Sequence, residues 1–345
     1  MRFSKSHLRH SLLIVLAATI LVLGSAASAF AQAVQPPRFV LDRVSKSEQA
    51  RWNVLTREIS AAKGLRVFWW NIANGGGEGD VRTLSSNLEL LVRSKLSPDV
   101  LALGEYSARA LPESTSALLE TQYPIRQHIR YNSLTSNGIA IFSRLPLKTV
   151  RAANLRWIPS ALSAEEVVSY REFWAQGHTD GGDGFYVRPL REIEIVYEGK
   201  SIAFTPIHLA QPWRELGKRA DGKVDFALLT MRELYFGTKN PLITQVNVLT
   251  NWLNAGTTPE KIVVGDFNLP RSFVGFPTLG FSRLDGILDP AIKQVENSFP
   301  TPSSPHSYPP MQIDHAFVGG NLKVVAAGVL PLKGSDHYPV FAVIR

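Results

Sequence analysis

The chain contains no cysteine, and this absence removes several possibilities at the outset. None of its 345 residues can form a disulfide or carry a lipid on an N-terminal cysteine. A cysteine-free chain is compatible with an oxidising compartment but does not demonstrate one. The sequence also lacks low-complexity tracts and solenoid-type repeats. It has no dense stripe of Lys and Arg and no motif that reads RNA or DNA.

The composition is that of a folded globular protein. Hydrophobic residues make up 45% of the chain and charged residues 19%, and seven Trp with seventeen Phe argue against disorder. The length suits one large or two ordinary domains, and one domain is the simpler interpretation. The formal net charge of +8 favours anionic partners such as nucleic acid or phospholipid headgroups.

The N-terminus has the layout of a secretory signal peptide. Three basic residues precede the apolar run Ser11–Gly24, and small residues with A-x-A patterns follow it. We predict cleavage and a secreted or periplasmic protein, because this run is short for a membrane span. An uncleaved membrane anchor is the alternative. We divide the chain into a signal peptide, 1–33, a linker and helix, 34–64, and a main domain, 65–345. Removal of the signal peptide with its three basic residues would lower the formal net charge from +8 to +5.

Strand and helix patterns in the main domain predict an α/β fold. Ser45 and Glu48 stand at capping-box spacing and predict a helix that ends near residue 62. Two apolar segments separated by a helical pattern predict a strand–helix–strand unit over residues 65–103. Residues 152–183 are expected to form an irregular surface excursion, and residues 210–240 a loop followed by a helix. Further strands are predicted at 139–142, 186–197, 201–205, 262–264, 312–318, 322–326 and 338–344, and further helices at 115–121 and 242–253.

The segment Lys261–Pro270, KIVVGDFNLP, ends a predicted buried strand in Asp266 and Asn268. Alternation along a strand places these two side chains on one face and Phe267 on the other. An acid and an amide that project together can hold a hard metal ion, orient a water molecule or bind a phosphate. By itself the segment is equally compatible with an ordinary Asp/Asn turn.

Other polar residues also lie at predicted strand ends or in adjoining loops. Glu105 alone is compatible with a surface acid, and His208 alone with a hydrogen-bonded loop histidine. Asp314 lies within an apolar strand, where a buried carboxylate needs a partner such as His337. Because strand ends converge on one rim in layered folds, we predict that these residues form one site. The members are Asn71, Glu105, His208, Asp266, Asn268, Asp314, Asp336 and His337.

Short motifs occur along the main domain in a fixed order. They are WNI, PDVLALGE, SNGIAIFSR, the His-Leu pair at His208, VVGDFN, IDHAFV and GSDHYPV. Together they resemble the endonuclease/exonuclease/phosphatase superfamily, the DNase-I-like and sphingomyelinase-like enzymes, over about residues 65–345. The resemblance implies a four-layered α/β sandwich of two packed, mostly antiparallel sheets flanked by helices. It also implies an Mg²⁺-dependent hydrolase acting on phosphoric ester bonds.

The resemblance implies a metal site and a water site. Asn71 and Glu105 would hold the main Mg²⁺ with help from Asp336, and Mn²⁺ suits the same oxygen ligands. Asp266 would orient or deprotonate the attacking water. Asn268 would hold that water or a phosphate oxygen.

The resemblance implies phosphate contacts as well. His337, paired with Asp314, would act as a charged donor or general acid/base, because the carboxylate fixes the tautomer and supports the imidazolium. His208 would donate to the same phosphoryl group. A basic or Tyr side chain usually contacts phosphate from the middle of the domain, and Arg188 is preferred slightly over Arg191 for this position.

Two motifs depart from the pattern of that family. Pro206 and Ile207 precede His208, where Thr or Asn is common. His315 follows Asp314, where Tyr or Phe is commoner.

The sequence leaves the substrate class open between alternatives. A nuclease is favoured by the positive charge and by Trp174, Trp213 and Arg214, which suit base stacking or backbone contact. A phospholipid headgroup hydrolase or a sugar or inositol phosphatase is the alternative, since aromatics within Trp157–Tyr186 suit a membrane interface. A non-catalytic binding protein is disfavoured because every required polar position is filled. We expect a monomer without an obligate protein partner, with nucleic acid favoured over phospholipid.

Overall fold

The framework of the protein, seen in a computed structural model, consists of two six-stranded β-sheets and flanking helices. The structure describes residues 38–42, 45–73, 80–107, 109–131, 137–156, 187–209, 241–273, 276–302 and 310–345. The helices are α1 (Lys46–Ala61), α2 (Val81–Arg93), α3 (Glu113–Gln122), α4 (Pro241–Asn254) and α5 (Leu279–Leu284). The strands are β1 (Leu65–Asn71), β2 (Val100–Tyr106), β3 (Ile125–Arg130), β4 (Gly138–Ser143), β5 (Leu147–Arg156), β6 (Val187–Tyr197), β7 (Lys200–His208), β8 (Lys261–Asp266), β9 (Ser272–Phe273), β10 (Phe276–Pro277), β11 (Asp289–Pro290), β12 (Asp314–Gly319), β13 (Val324–Val329) and β14 (Val340–Ile344).

Each large sheet is antiparallel except for one parallel pair. The first sheet has the order β13-β14-β1-β2-β4-β3, and the second has the order β11-β12-β8-β7-β6-β5. The parallel pairs are β1–β2 and β7–β8. A parallel pair requires a crossover connection, and α2 provides it between β1 and β2. In each sheet two strands therefore end side by side at the same edge.

The two sheets pack face to face through an apolar core. Val67 and Trp69 of β1 lie in this core with Phe204 and Ile262 of the second sheet. The alternate residues Phe68 and Trp70 point the other way, into a second core formed with α1, α2 and α3. A third core joins the outer face of the second sheet to α4 and α5. The resulting order of layers, helices, sheet, sheet and helices, confirms the predicted four-layered sandwich.

Helix α1 begins with the predicted capping box. The Ser45 side chain accepts a hydrogen bond from the Glu48 amide at 3.2 Å, and the Glu48 carboxylate accepts one from the Ser45 amide at 2.7 Å. The helix buries Trp52 and Ile59 in the core that covers the first sheet. Phe39–Arg345 form one compact unit. Within the described ranges, no helix has the length and apolar character needed to cross a membrane.

Three segments differ from the sequence-based predictions. The prediction of an irregular excursion over residues 152–183 is wrong for residues 152–156, because these five residues belong to β5 and pair with β6. Strand β3 was not predicted, because Arg126, His128 and Arg130 alternate along this edge strand with one face in solvent. Helix α5 has only six residues and no side-chain cap, so its sequence signal is weak. The predictions for residues 1–33, 157–183 and 210–240 lie outside the described residues.

Candidate active site

The ends of five strands bring the predicted polar residues to one end of the sandwich. Both sheets contribute, because β1 and β2 belong to the first sheet and β7, β8 and β12 to the second. A side chain at Gly265 would meet the Ile207 carbonyl oxygen at 2.0 Å, so glycine there lets β7 approach β8 closely. The residues so assembled are Asn71 on β1, Glu105 on β2, His208 on β7, Asp266 and Asn268 at the end of β8, Asp314 on β12, and Asp336 with His337 before β14.

Asn71 lies at the centre of this cluster and is 1% exposed. Its Nδ2 lies 3.2 Å from Glu105 Oε1, 3.1 Å from Asp266 Oδ2 and 3.5 Å from His337 Nε2. Its Oδ1 accepts a hydrogen bond from the Ala73 amide at 3.1 Å. One short side chain therefore touches polar groups that come from both sheets.

His337 and Asp314 form a buried hydrogen-bonded pair. The distance from His337 Nδ1 to Asp314 Oδ2 is 2.7 Å, and Trp69 Nε1 donates to the other carboxylate oxygen at 2.9 Å. Burial alone would lower the pKa of His337, but the charges of Asp314, Asp336 and Asp266 outweigh it and hold that pKa well above the usual value. The imidazole is therefore positively charged at neutral pH and faces the site through Nε2.

Asp266 is the most central acid of the site. Its Oδ1 accepts a hydrogen bond from the Asn268 amide at 2.8 Å, while Oδ2 lies 3.5 Å from His208 Nε2 and 3.9 Å from His337 Nε2. Burial, and after it the charge of Asp314, raise the pKa of Asp266 to about 8, against the opposing effect of His337. A carboxylate whose proton affinity is matched to neutral pH suits a general base.

Asn268 lies beside Asp266 and has a φ of +48°. Asparagine tolerates this left-handed backbone better than most residues, which explains the residue type at the turn. Its Nδ2 donates to the Leu209 carbonyl at 2.9 Å, so the side chain also ties the end of β8 to the end of β7.

Glu105 and Asp336 form the acidic side of the site. Glu105 has a φ of +51°, and a left-handed backbone at a non-glycine residue is often associated with a functional position. Burial, and then the charge of Asp336, raise the pKa of Glu105. Ser335 Oγ donates to the Asn71 carbonyl at 2.7 Å and lies 3.2 Å from Asp336 Oδ1, which fixes this loop against the end of β1.

The donor set fits a hard divalent cation. Carboxylates of Glu105 and Asp336 with the Asn71 side chain are oxygen ligands of the kind that Mg²⁺ prefers, and a cation would relieve the repulsion between the two acids. Ligand atoms of Asp266, Asp314 and His337 also lie within 4.8 Å of one another. Both oxygens of Asp314 are already engaged by Trp69 and His337, however, so this second group is better described as a hydrogen-bonded pair facing an acid.

Tyr131 is a polar component that the sequence motifs did not identify. It directly follows β3, and its hydroxyl lies 2.6 Å from His208 Nδ1 and accepts a hydrogen bond from the Glu105 amide at 3.1 Å. The Arg188 guanidinium carbon lies 4.5 Å from the centre of the Tyr131 ring. Arg191 instead donates to the carbonyls of Ala153 and Leu190. Of the two arginine candidates, the geometry therefore favours Arg188.

His315, which departs from the family pattern, has a structural environment. Its Nε2 lies 2.9 Å from the Leu269 carbonyl, and its ring packs against Phe267, Phe281 and Phe317. Burial lowers the pKa of His315 to about 4, so the ring is neutral at pH 7 and Nε2 donates to the carbonyl. His315 thereby supports the loop that follows Asp266.

This environment predicts an acid-sensitive contribution to stability. The unfolded chain binds a proton on His315 near the ordinary pKa of 6.5, whereas the folded chain does so only near 4. Lowering the pH from 7 to 5 therefore favours the unfolded state, by about 2 kcal/mol for this group. We expect urea unfolding of His315→Phe to show a weaker loss of stability over this interval, together with a lower stability at pH 7 because the Leu269 carbonyl loses its donor.

The control for this experiment is His128→Gln, which removes an exposed histidine on β3. It should retain most of the pH dependence of the unmodified protein. An identical slope between pH 7 and 5 in His315→Phe and the unmodified protein would contradict the prediction.

Comparisons with known proteins agree with this architecture. The chain resembles the crystal structure of an endonuclease/exonuclease/phosphatase from Beutenbergia cavernae, with 20% identity, a TM-score of 0.53, and coverage of 82% of this chain and 72% of that one. It also resembles a family protein from Bacteroides thetaiotaomicron, with 15% identity, a TM-score of 0.50, and coverage of 82% and 97%. At these identities the likeness shows the fold alone. Among curated proteins, no sequence matches the chain.

The sequence itself matches a family model as well. The model described as Endonuclease/Exonuclease/phosphatase family matches residues 68–337, from the middle of β1 to the histidine of the buried pair. The matched region includes every strand of the two large sheets except β14 and the first residues of β1, and it includes every residue of the site described above. The chain therefore belongs to the endonuclease/exonuclease/phosphatase family.

Proposed function

We propose that the protein is a divalent-metal-dependent phosphodiesterase, with nucleic acid as its favoured substrate. Members of its family are phosphoester hydrolases, and the finer assignment rests on one arrangement. A central acid, Asp266, faces a charged imidazole, His337, at 3.9 Å, beside a second group of acids suited to a cation. A base, a cationic donor and a metal site are the three groups that hydrolysis of a phosphate diester needs.

The metal would be held by Asn71, Glu105 and Asp336. When bound, Mg²⁺ or Mn²⁺ neutralises phosphate charge and stabilises the leaving oxygen. Hydrogen bonds restrain two of these residues: the Glu105 amide donates to the Tyr131 hydroxyl, and the Asn71 carbonyl accepts from Ser335 Oγ.

The other residues act on water and on the phosphoryl group. Asp266, in its carboxylate form, orients the attacking water and takes its proton as the water oxygen bonds to phosphorus. His337, kept charged by Asp314, donates a hydrogen bond to a phosphoryl oxygen and stabilises the charge that develops there. The bond to the leaving oxygen then breaks. Asn268 would position the water or a phosphate oxygen.

His208 and Arg188 would contact the phosphoryl group from the second sheet. The support for His208 is that its Nε2 lies 3.5 Å from Oδ2 of Asp266, the proposed base. Arg188 is 5% exposed and stacked on Tyr131, so its charge is held beside the same groups.

A basic edge supports a polyanionic substrate. Arg126 and Arg130 project from the exposed face of β3, and the strand leads directly to Tyr131 in the site. Arg126 also pairs with Glu120. The aromatic and basic positions expected to contact nucleic acid, Trp174, Trp213 and Arg214, lie outside the described residues, as does the segment 157–186 considered for a membrane interface.

We further propose an exported monomer. The support is the leader-like sequence of residues 1–33, which would be removed, and the division into residues 34–64 and a catalytic domain over 65–345 follows from it. Mass spectrometry of the protein recovered after expression in its own host, with cell fractions separated, tests both cleavage and location.

Metal removal tests the proposed chemistry. The purified protein is assayed with Mg²⁺ against plasmid DNA, sphingomyelin vesicles and bis(p-nitrophenyl) phosphate. We expect turnover of the diester and of DNA that EDTA abolishes and that added Mg²⁺ or Mn²⁺ restores. Glu105→Gln should require a higher Mg²⁺ concentration for half-maximal rate, because it loses one charged ligand. Glu198→Gln, on the exposed turn between β6 and β7, is the matched control.

The outcomes separate the alternatives. Turnover of sphingomyelin without turnover of DNA would replace the nuclease assignment with the phospholipid one. No chelator-sensitive turnover of any substrate would refute the enzymatic proposal.

A further inference from the structure

The buried hydroxyl of Tyr131 joins two groups that the proposed chemistry uses separately. It contacts the imidazole of His208, the proposed hydrogen-bond donor to the phosphoryl group. It also contacts the backbone of Glu105, a proposed metal ligand. We propose that Tyr131 is a positioning residue that holds His208 as the neutral tautomer with its proton on Nε2. His208 then donates a hydrogen bond into the site through Nε2. The expected effect on catalysis rests on the proposed function, whereas the expected tautomer of His208 does not.

The hydrogen count at the Tyr131 hydroxyl supports this tautomer. The oxygen accepts the Glu105 N–H at 3.1 Å, and it has one hydrogen of its own to give. The contact of 2.6 Å with His208 Nδ1 holds one hydrogen between the two atoms. Within the described part of the chain, the hydroxyl has no third hydrogen-bond partner. If Nδ1 carried the hydrogen instead, the phenol hydrogen would have no acceptor among these residues, which is costly in a buried site.

The surroundings of the other ring nitrogen support the same assignment. His208 Nε2 faces Asp266 Oδ2 at 3.5 Å and Glu105 Oε1 at 3.8 Å. Both oxygens already accept a hydrogen bond from Asn71 Nδ2, so an N–H at this position is attracted to them, whereas a lone pair would be repelled. Two independent contacts, one on each side of the ring, therefore favour the proton on Nε2.

Tyr131 also contacts His208 and Glu105 at the same time, so it holds these two residues in a fixed arrangement. Its hydroxyl accepts from the amide of Glu105, whose backbone has a φ of +51°, so the same oxygen steadies a residue in an uncommon conformation. Its ring lies under the Arg188 guanidinium and edge-on to His208, with ring centres 5.3 Å apart. Tyr131→Phe removes the hydroxyl and keeps both ring contacts, which makes it a specific test.

The tautomer can be measured without any assay of activity. Two-bond ¹H–¹⁵N correlation spectra of the ¹⁵N-labelled, metal-free full chain distinguish the two ring nitrogens, and His208→Asn identifies the signals of His208. We expect the unmodified protein to show Nε2 protonated and Nδ1 unprotonated and hydrogen-bonded. In Tyr131→Phe we expect a mixture of tautomers. Tyr123→Phe is the matched control, because Tyr123 is also buried and its hydroxyl donates to the Pro98 carbonyl at 3.1 Å, away from the site.

Kinetics supply the second readout. With bis(p-nitrophenyl) phosphate and Mg²⁺, we expect Tyr131→Phe to lower kcat by about 10- to 100-fold, the usual cost of losing a group that orients a functional side chain. Tyr123→Phe should retain the unmodified kcat at temperatures where both variants are folded.

The outcomes are distinguishable. A His208 protonated on Nδ1 in the unmodified protein, or a tautomer unchanged in Tyr131→Phe, overturns the role of Tyr131. The expected tautomers together with no turnover in the unmodified protein support the positioning by Tyr131 and refute the proposed function instead.

Discussion

Asp266→Asn is expected to lower kcat for a phosphodiester by about 10³-fold while leaving the fold intact. The amide has the same shape as the carboxylate and can still accept the Asn268 N–H through its oxygen. It cannot take a proton from water, and loss of a positioned base costs about 10²- to 10⁴-fold. The measurement is kcat at saturating Mg²⁺, with circular dichroism and thermal unfolding as checks of the fold.

The pH dependence sharpens this first prediction. Because the pKa of Asp266 is raised, to about 8 in the protein without metal, the carboxylate gains a proton well before an ordinary aspartate as the pH falls. The rate of the unmodified protein should therefore decline towards acid pH, since the protonated form is not a base. A nearby cation lowers that pKa, so the decline should lie below pH 8 in the presence of Mg²⁺.

The control for Asp266 is Asp285→Asn, at the exposed end of α5. It makes the same chemical change and should leave both kcat and its pH profile unaltered. A near-normal rate in Asp266→Asn would remove this residue from the proposed chemistry.

His337→Ala is the second change with a large expected effect, a loss of about 10²- to 10³-fold in kcat. It removes a charged donor whose Nε2 lies at the centre of the site, and such donors act on charge that develops in the transition state. Asp314→Asn should cost a similar amount, because the carboxylate that supports the imidazolium is lost although His337 itself remains.

A double variant tests whether the two residues act as one unit. If Asp314 works through His337, the combination of His337→Ala and Asp314→Asn should be little worse than His337→Ala alone. His128→Ala, on the exposed face of β3, is the control and should retain normal turnover. Strictly additive losses would show that Asp314 acts by another route, and near-normal turnover in His337→Ala would exclude His337 from the chemistry.

The sequence allowed the polar residues of the candidate site to be singled out because they interrupt apolar strands. Asp266 follows Ile262–Val264, and Asp314 begins a strand whose other residues are buried. A carboxylate costs free energy in such a place unless something compensates it, so its presence is itself a signal. Motif order then indicated the fold, which the structure confirms as two mixed sheets between layers of helices.

The aromatic residues of the site could not be recognised in the same way. Trp69 stands in LRVFWWN and has every sign of a core residue, which it also is. Its indole N–H donates to Asp314, a residue 245 positions away, and only the packing of the two sheets creates that contact. Tyr131 could not be recognised either. It directly follows β3, an edge strand whose charged residues kept it from being predicted as a strand. Gly104 is also explained only in three dimensions, because a Cβ there would lie 2.6 Å from the Trp69 ring.

The division of the site between two sheets has a consequence for how the protein acquires activity. Asn71 and Glu105 come from the first sheet, whereas His208, Asp266 and Asp314 come from the second. A collapsed intermediate with both sheets formed but not yet docked would have native secondary structure, but the residues of the candidate site would still be apart. Recovery of activity on refolding should therefore coincide with consolidation of the apolar core between the sheets. Substitutions deep in that core should reduce specific activity before they reduce the content of strand and helix.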